Sequence, residues 1–305
     1  MSSIEKAIER LAKSKGERPA GRADESQTPK SPAQETAAAV PTNEAAEPTP
    51  ETPKPSAKTR PEEEHQAKKV HLDYEALSRV GHIVPHSGNK TLEEEYRIIK
   101  RPVIRNALGK GAVPIEHGNL VSISSSLPSE GKTFTAFNLA LSIATELDST
   151  VLLIDGDVLK YTLSQLLGIE NEPGLIDLLS NRECEVSDVI IHTQIPKLKL
   201  IGAGTRSEKS TELLASTEME RLLDELARRY NDRIVIFDSP PLLATSEAAV
   251  LNHHMGQILV VVEAGQTPVE AIKDSLSRLD QDKAIGLILN KSREGKGTNY
   301  YGTYY

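Results

Sequence analysis

Gly131-Lys132-Thr133 puts a cation and a hydroxyl directly after a glycine, where an apolar run gives way to a helical one. That combination suits phosphate chemistry. A phosphate-binding loop asks for Gly, four free positions, then Gly-Lys-Ser/Thr between a strand and a helix. Residues 121–135 read Val-Ser-Ile-Ser-Ser-Ser-Leu-Pro-Ser-Glu-Gly-Lys-Thr-Phe-Thr, with Ser126 in the first glycine's place. Backbone N–H groups at the start of the following helix face an anion well. Lys132 suits the β/γ-phosphates of a nucleotide, and the Thr133 hydroxyl suits Mg²⁺. The candidate nucleotide-contacting stretch is Ser126, Pro128, Ser129, Glu130, Gly131, Lys132, Thr133 and Phe134. Asn290, in the pair Asn290-Lys291 after the last apolar run, is a candidate for the base.

Two further apolar runs end in carboxylates. Val151-Leu152-Leu153-Ile154 leads into Asp155-Gly156-Asp157, and Ile234-Val235-Ile236-Phe237 leads into Asp238-Ser239-Pro240-Pro241. Such an aspartate alone is often a turn or helix-capping residue. Two such ends in chain order behind a phosphate loop make a set. Mg²⁺ takes carboxylates, a hydroxyl, phosphate oxygens and water, so Thr133, Asp157 and Asp238 are its candidate ligands. Asp155 is the candidate acceptor of a proton from an attacking hydroxyl, and the roles of Asp155 and Asp157 are interchangeable at this level.

The elements that must position these groups are legible as short continuous apolar runs at 119–125, 150–155, 197–202, 233–238, 257–263 and 284–290. Runs of that kind are strands covered on both faces. Helical stretches fill the gaps, among them Thr91–Ala107 with Pro102 as a kink or stop, and Thr211–Tyr230 with Met219, Leu222, Leu223, Leu226 and Tyr230 on one side. Alternation of this kind predicts a three-layer α/β fold with a mostly parallel central sheet and helices on both faces. Ligands of such sheets sit at the carboxyl ends of the strands, where the loop and the aspartates already are.

The 305-residue chain carries a net charge of −8, which argues against nucleic acid as a partner. No apolar run reaches the roughly 18 residues of a membrane span, and the N-terminus lacks a signal-peptide core. A cytoplasmic protein is expected, attached to membrane only through a partner. The single cysteine, Cys184, reads as a small buried hydrophobe. The adjacent His253 and His254 read as helix-end surface residues. Residues 1–70 are rich in Pro, Ala, Glu and Thr, too poor in apolar groups to offset ordering entropy, and are expected to be disordered. Within them, Ile4, Ala7, Ile8, Leu11 and Ala12 share one helical face, so 4–12 is either a fraying end or a short docking helix. Residues 71–118 read as a linker plus a helix, 119–293 as the nucleotide-binding domain and 294–305 as a separate tail. That tail holds Tyr300, Tyr301, Tyr304 and Tyr305, half of the chain's eight tyrosines, among Gly295, Gly297 and Gly302. A flexible segment of phenols suits a phosphate acceptor.

The set of motifs is similar to deviant P-loop ATPases of the division-site and partition kind, but Leu127 stands where those carry an extra lysine. Ser124 to Thr133, Asp155-Gly156-Asp157 and Phe237 to Pro241 together resemble the bacterial P-loop tyrosine kinases. The likeness covers about residues 90–305. It is nearest to the exosortase-associated tyrosine autokinases of exopolysaccharide loci, particularly at Glu95-Tyr96-Arg97-Ile98-Ile99-Lys100-Arg101-Pro102. The resemblance implies that 119–293 is the kinase domain and the helix of 71–118 an oligomerisation helix. It implies an ATP- and Mg²⁺-dependent autokinase with Lys132, Asp155 and Asp157 as catalytic groups. Its acceptors would be Tyr300, Tyr301, Tyr304 and Tyr305 of a neighbouring subunit. It implies a homo-oligomer, such as a ring, contacted through Glu94, Arg97 and Lys100, the last where the family has arginine; Arg101 is the alternative. Lys160 stands one place after the arginine that usually follows the second aspartate. The implied partners are a membrane activator of the polysaccharide chain-length-determinant type, which would hold the chain at the inner face of the membrane, and a tyrosine phosphatase. The implied process is control of exopolysaccharide synthesis or export. The alternative is a positioning or assembly ATPase switched by nucleotide.

Overall fold

A computed structural model describes residues 68–85, 87–229 and 233–292. The expectations for residues 1–67, Tyr230 and the tyrosine tail lie outside these residues. All six strands read from the apolar runs are present: β1 (Leu120–Ser125), β2 (Thr150–Asp155), β4 (Leu198–Ile201), β5 (Arg233–Asp238), β6 (Gln257–Glu263) and β7 (Ala284–Asn290). A two-residue strand, β3 (Ile191–His192), completes a seven-stranded sheet of order β3-β4-β2-β5-β1-β6-β7. Every pairing is parallel except β3 with β4. β3 escaped the sequence reading because two residues carry no periodicity.

The strand order decides where the chemistry goes. β2, β5 and β1 are neighbours, so the chain segments that follow them leave the sheet side by side. Asp155 and Asp238 are register partners across β2 and β5, and Ile123 partners Asp238 across β5 and β1. Neighbouring strands lie about 4.8 Å apart, which brings together carboxylates far apart in sequence.

Ten helices follow in chain order among the described residues: α1 (Tyr74–Arg79), α2 (Lys90–Ala107), α3 (Lys132–Ala144), α4 (Thr162–Leu167), α5 (Leu175–Ser180), α6 (Val186–Val189), α7 (Ser210–Leu214), α8 (Thr217–Arg229), α9 (Ser246–His253) and α10 (Val269–Ser277). α3 is apolar almost all round, and Ala136, Phe137, Leu139, Ala140 and Ile143 are wholly buried. α2 covers it with Tyr96 and Val103. α2 runs through Pro102 without stopping. The carbonyl deprived of its partner belongs to Ile98, an exposed residue that water can serve. The stretch expected as one helix from Thr211 is divided at Ala215-Ser216, because the Ser216 hydroxyl accepts from Met219 N and starts α8 afresh.

Residues 68–84 are more than a linker. Lys69 bridges His192 at the sheet edge, and Leu72, Leu77 and Val84 join the core. Ile83 N donates to the Asn138 side chain of α3, and His82 packs between Phe134 and Phe137 with both centroid distances 5.0 Å. Cys184 is half-buried rather than enclosed, in the turn between α5 and α6. His253 is at the exposed end of α9, with Nδ1 2.6 Å from Asp280.

Candidate active site

The loop between β1 and α3 adopts left-handed backbone twice, at Ser129 (φ 68°) and Gly131 (φ 100°). Gly131 opens α3 as its N-cap without a side-chain cap, so the first N–H groups of the helix remain for a ligand. A Cβ at Gly131 would fall 2.1 Å from Asn290 Nδ2. Glycine is required there twice over, by its torsion and by the neighbour. Ser126 has no positive φ, which is why the first position of the motif tolerates a side chain. Its hydroxyl turns away to Ser275 of α10 at 2.8 Å.

Lys132, the first residue of α3, is buried and reaches across to the ends of β2 and β5. Its Nζ lies 2.7 Å from Asp157 Oδ2 and 3.6 Å from Asp238 Oδ1. Burial opposes its charge, but Asp238, Asp157 and Asp155 outweigh burial and hold its pKa above the ordinary lysine value. Asp238 is fully buried, and its two oxygens make no hydrogen bond of good geometry among the described residues. Burial pushes its pKa up, against the pull of Lys132 and the Thr133 hydroxyl. Asp155 is pushed up to about 7, by burial first and then by the charge of Asp238. Its Oδ2 accepts from Ser164 N (2.8 Å) and Ser164 Oγ (2.7 Å), and its Oδ1 accepts from Asp157 N (3.2 Å). Asp155 therefore sets the start of α4 and the Asp157 backbone as well as carrying charge.

Three predicted acids, the lysine and the threonine thus converge. The donor set fits Mg²⁺: the Thr133 hydroxyl beside Asp238, whose buried oxygens make no hydrogen bond of good geometry among the described residues. Among the described residues no three His, Cys, Asp or Glu side chains form a metal cage. That pattern suits an ion that usually takes one or two carboxylates and completes its shell with substrate phosphates and water.

Other expected residues sit differently. Glu130 is buried and turned inward; its carboxylate accepts from Leu127 N at 2.6 Å and from the Thr267 hydroxyl. Phe134 faces His82. Asn290 donates its amide to Glu130 O at 2.8 Å, which places it against the back of the loop. On α2, Glu94 and Arg97 pair at the surface. Lys100 does not join them. It is buried, and its Nζ donates to Ser142 O (2.7 Å) and Thr145 Oγ1 (3.1 Å) and pairs with Glu146 (2.7 Å). Its ammonium is occupied within the chain, and Arg101 is the exposed cation next to it. Ser164, Thr267, Ser275 and Lys291 support the site without any local motif to betray them. Their roles come from strand order. Arg206 lies over the Tyr161 ring at 5.0 Å, and Tyr161 takes a left-handed φ of 57° just beyond Asp157.

Residues 119–285 match the family model described as AAA domain. Tyrosine-protein kinase ptk of Acinetobacter johnsonii is 32% identical over 181 residues, 59% of this chain and 24% of that protein. Tyrosine-protein kinase wzc of Salmonella typhimurium is 34% identical over 189 residues, 61% of this chain and 26% of that protein. The chain spans about a quarter of the length of these curated relatives. The solved kinase domain of Escherichia coli tyrosine kinase ETK is 34% identical, with a TM-score of 0.53, covering 61% of this chain and 73% of that one. The chain belongs to the AAA-domain family and, within it, to the bacterial tyrosine-kinase group.

Proposed function

We propose that the chain is an ATP- and Mg²⁺-dependent protein-tyrosine autokinase. The observation that carries this reading is the buried Lys132 ammonium, held between Asp157 and Asp238 at the ends of adjoining strands, beneath a loop with free helix-start N–H groups. Positioning and charge neutralisation supply most of the catalysis in phosphoryl transfer. The loop N–H groups and Lys132 bind the β/γ-phosphates. Thr133, Asp157 and Asp238 would hold Mg²⁺, which withdraws charge from the transferring group when bound. Asp155, with a pKa near working pH, takes the phenol proton as the tyrosine oxygen attacks the γ-phosphorus, and the bond from that phosphorus to the β–γ bridging oxygen breaks to release ADP.

The acceptors in this reading are Tyr300, Tyr301, Tyr304 and Tyr305 of a neighbouring subunit. Glu94, Arg97 and Arg101 are the α2 groups available for the subunit contact. Phosphorylated tails repel one another and leave the neighbour's acidic site, which weakens the assembly. Among the described residues no helix is long and apolar enough to cross a membrane. By the likeness to the bacterial tyrosine kinases, the reading also includes a membrane activator of the chain-length-determinant type, an opposing tyrosine phosphatase and a role in exopolysaccharide synthesis or export. The test is phosphotyrosine formation after incubation with Mg-ATP, alone and with the membrane fraction of the source cell, followed by mass spectrometry of residues 293–305. Phosphate on the tail supports the reading. Absence of phosphotyrosine in both incubations contradicts it.

A further inference from the structure

The phosphate loop is held from behind by the chain that leads into the tail. Lys291, the first residue after β7, has a left-handed φ of 57°. Its Nζ donates to Ser129 O at 2.7 Å and pairs with Glu263 at 2.9 Å. The preceding residue, Asn290, donates to Glu130 O at 2.8 Å. These are the carbonyls of two successive peptide groups of the loop. In a planar trans peptide the C=O and N–H point in opposite directions. Securing Ser129 O fixes the N–H of Glu130, and securing Glu130 O fixes the N–H of Gly131. Both N–H groups are thereby turned away from the Asn290 and Lys291 side chains that hold the carbonyls. Left alone, a loop that is left-handed at a non-glycine residue is free to flip the Ser129–Glu130 peptide and present a carbonyl to the phosphates.

We infer that Lys291 is a positioning residue for nucleotide binding, which clamps the Ser129–Glu130 peptide so that the loop offers donors to phosphate, and Glu263 orients its ammonium. The cation sits behind the loop rather than in the anion site, so it acts through the peptide dipole. The same residue is the root of the segment carrying the four tyrosines, so the acceptor tail of each subunit begins at that subunit's own phosphate loop. The inference rests on the nucleotide-site reading but does not require kinase activity.

The test is Mg-ADP affinity, measured on the full chain by displacement of a fluorescent ADP analogue. Lys291→Met should weaken binding roughly fivefold, the scale of one charge-assisted hydrogen bond that is partly exposed. Lys291→Arg, which keeps a cation and donors, should lie nearer to wild type. Lys273→Met, on the exposed face of α10, removes the same charge without touching the loop and should bind as wild type. Amide exchange should quicken at residues 129–131 in Lys291→Met while β1 and the rest of α3 stay as before, a change that general destabilisation would not confine to the loop. In phosphotransfer, the KM for ATP should rise more than kcat falls. Unchanged ADP affinity in Lys291→Met, or an equal loss in Lys273→Met, overturns the clamp. A wild-type chain that binds no ADP overturns the nucleotide-site reading itself.

Discussion

α3 has a buried lysine at each end, and the two obey opposite electrostatics. Lys100 sits at the C-terminal end, where the helix dipole is negative and the last carbonyls lack partners. It donates to Ser142 O and pairs with Glu146. Everything about it agrees with folding. Lys132 sits at the N-terminal end, where the dipole disfavours a cation. It persists because Asp157 and Asp238 lie opposite. Those carboxylates bring their own cost, since burial raises the pKa of Asp238 and carries that of Asp155 to about 7. A buried charge that local structure explains is a structural device. A buried charge against the dipole, matched by acids that resist ionising, marks a site arranged for a ligand.

The difference can be broken at either end. Lys132→Met should have the largest effect: a loss of phosphotyrosine formation of about a hundredfold or more, as expected for removing one preorganised electrostatic group, checked by the initial rate in Mg-ATP. Next comes Gly131→Ala. Its Cβ meets Asn290 and its φ is left-handed, so about 1–3 kcal/mol of strain should appear as at least a fivefold loss of Mg-ADP affinity. Lys100→Met should act on the fold instead. Losing the ammonium's bonds to Ser142 O, which still accepts from the Thr145 hydroxyl, and to the partly exposed Glu146 costs about 1 kcal/mol, seen as a fall in Tm of roughly 3 °C, with phosphotransfer per folded molecule retained.

A smaller effect separates the acid cluster from ordinary surface carboxylates. The Asp155 pKa is raised on folding from the usual 3.8 to about 7. The unfolded chain therefore releases that proton first as pH rises. Stability from this group is full below about 4 and is lost as pH climbs through 7. His82 runs the other way, since burial lowers its pKa from 6.5 and protonation favours unfolding at lower pH. The difference in Tm between wild type and Asp155→Asn, followed from pH 5 to 8 without nucleotide, isolates the aspartate and should fall with pH. The smallest effect is Arg97→Ala. An exposed pair with Glu94 contributes under about 1 kcal/mol, so Tm should barely move, while self-association measured by sedimentation should weaken.

The legible and illegible parts of the molecule divide along the same lines. The strands were readable because β1, β2, β5 and β6 are buried on both faces and therefore nearly unbroken in apolar sequence. Gly131-Lys132-Thr133, Asp155, Asp157 and Asp238 were readable because their types and chain order have few other uses. Lys100 was not, because in a helix of alternating charge nothing local distinguishes a lysine whose stem lies in the core from one in water. The packing of residues 68–84 was hidden because Leu72, Leu77 and Val84 are isolated apolar residues in a polar stretch, each meaningful only against α3 and the sheet edge. Ser164 and Thr267 support the site through side-chain bonds to Asp155 and Glu130, and single hydroxyls carry no pattern.

The central claim is that the site built around Lys132 and its acids transfers the γ-phosphoryl group of ATP to another chain's tail. It is tested most directly by mixing two proteins, neither of which can label its own tail. One carries Lys132→Met with its tyrosines intact. The other keeps Lys132 but has Tyr300, Tyr301, Tyr304 and Tyr305 changed to phenylalanine. Incubated together with Mg-ATP and the membrane fraction, the Lys132→Met chain should gain phosphate on residues 300–305, as read by mass spectrometry. The same mixture yielding no tail phosphate, while wild type under those conditions is labelled, would contradict transfer between subunits.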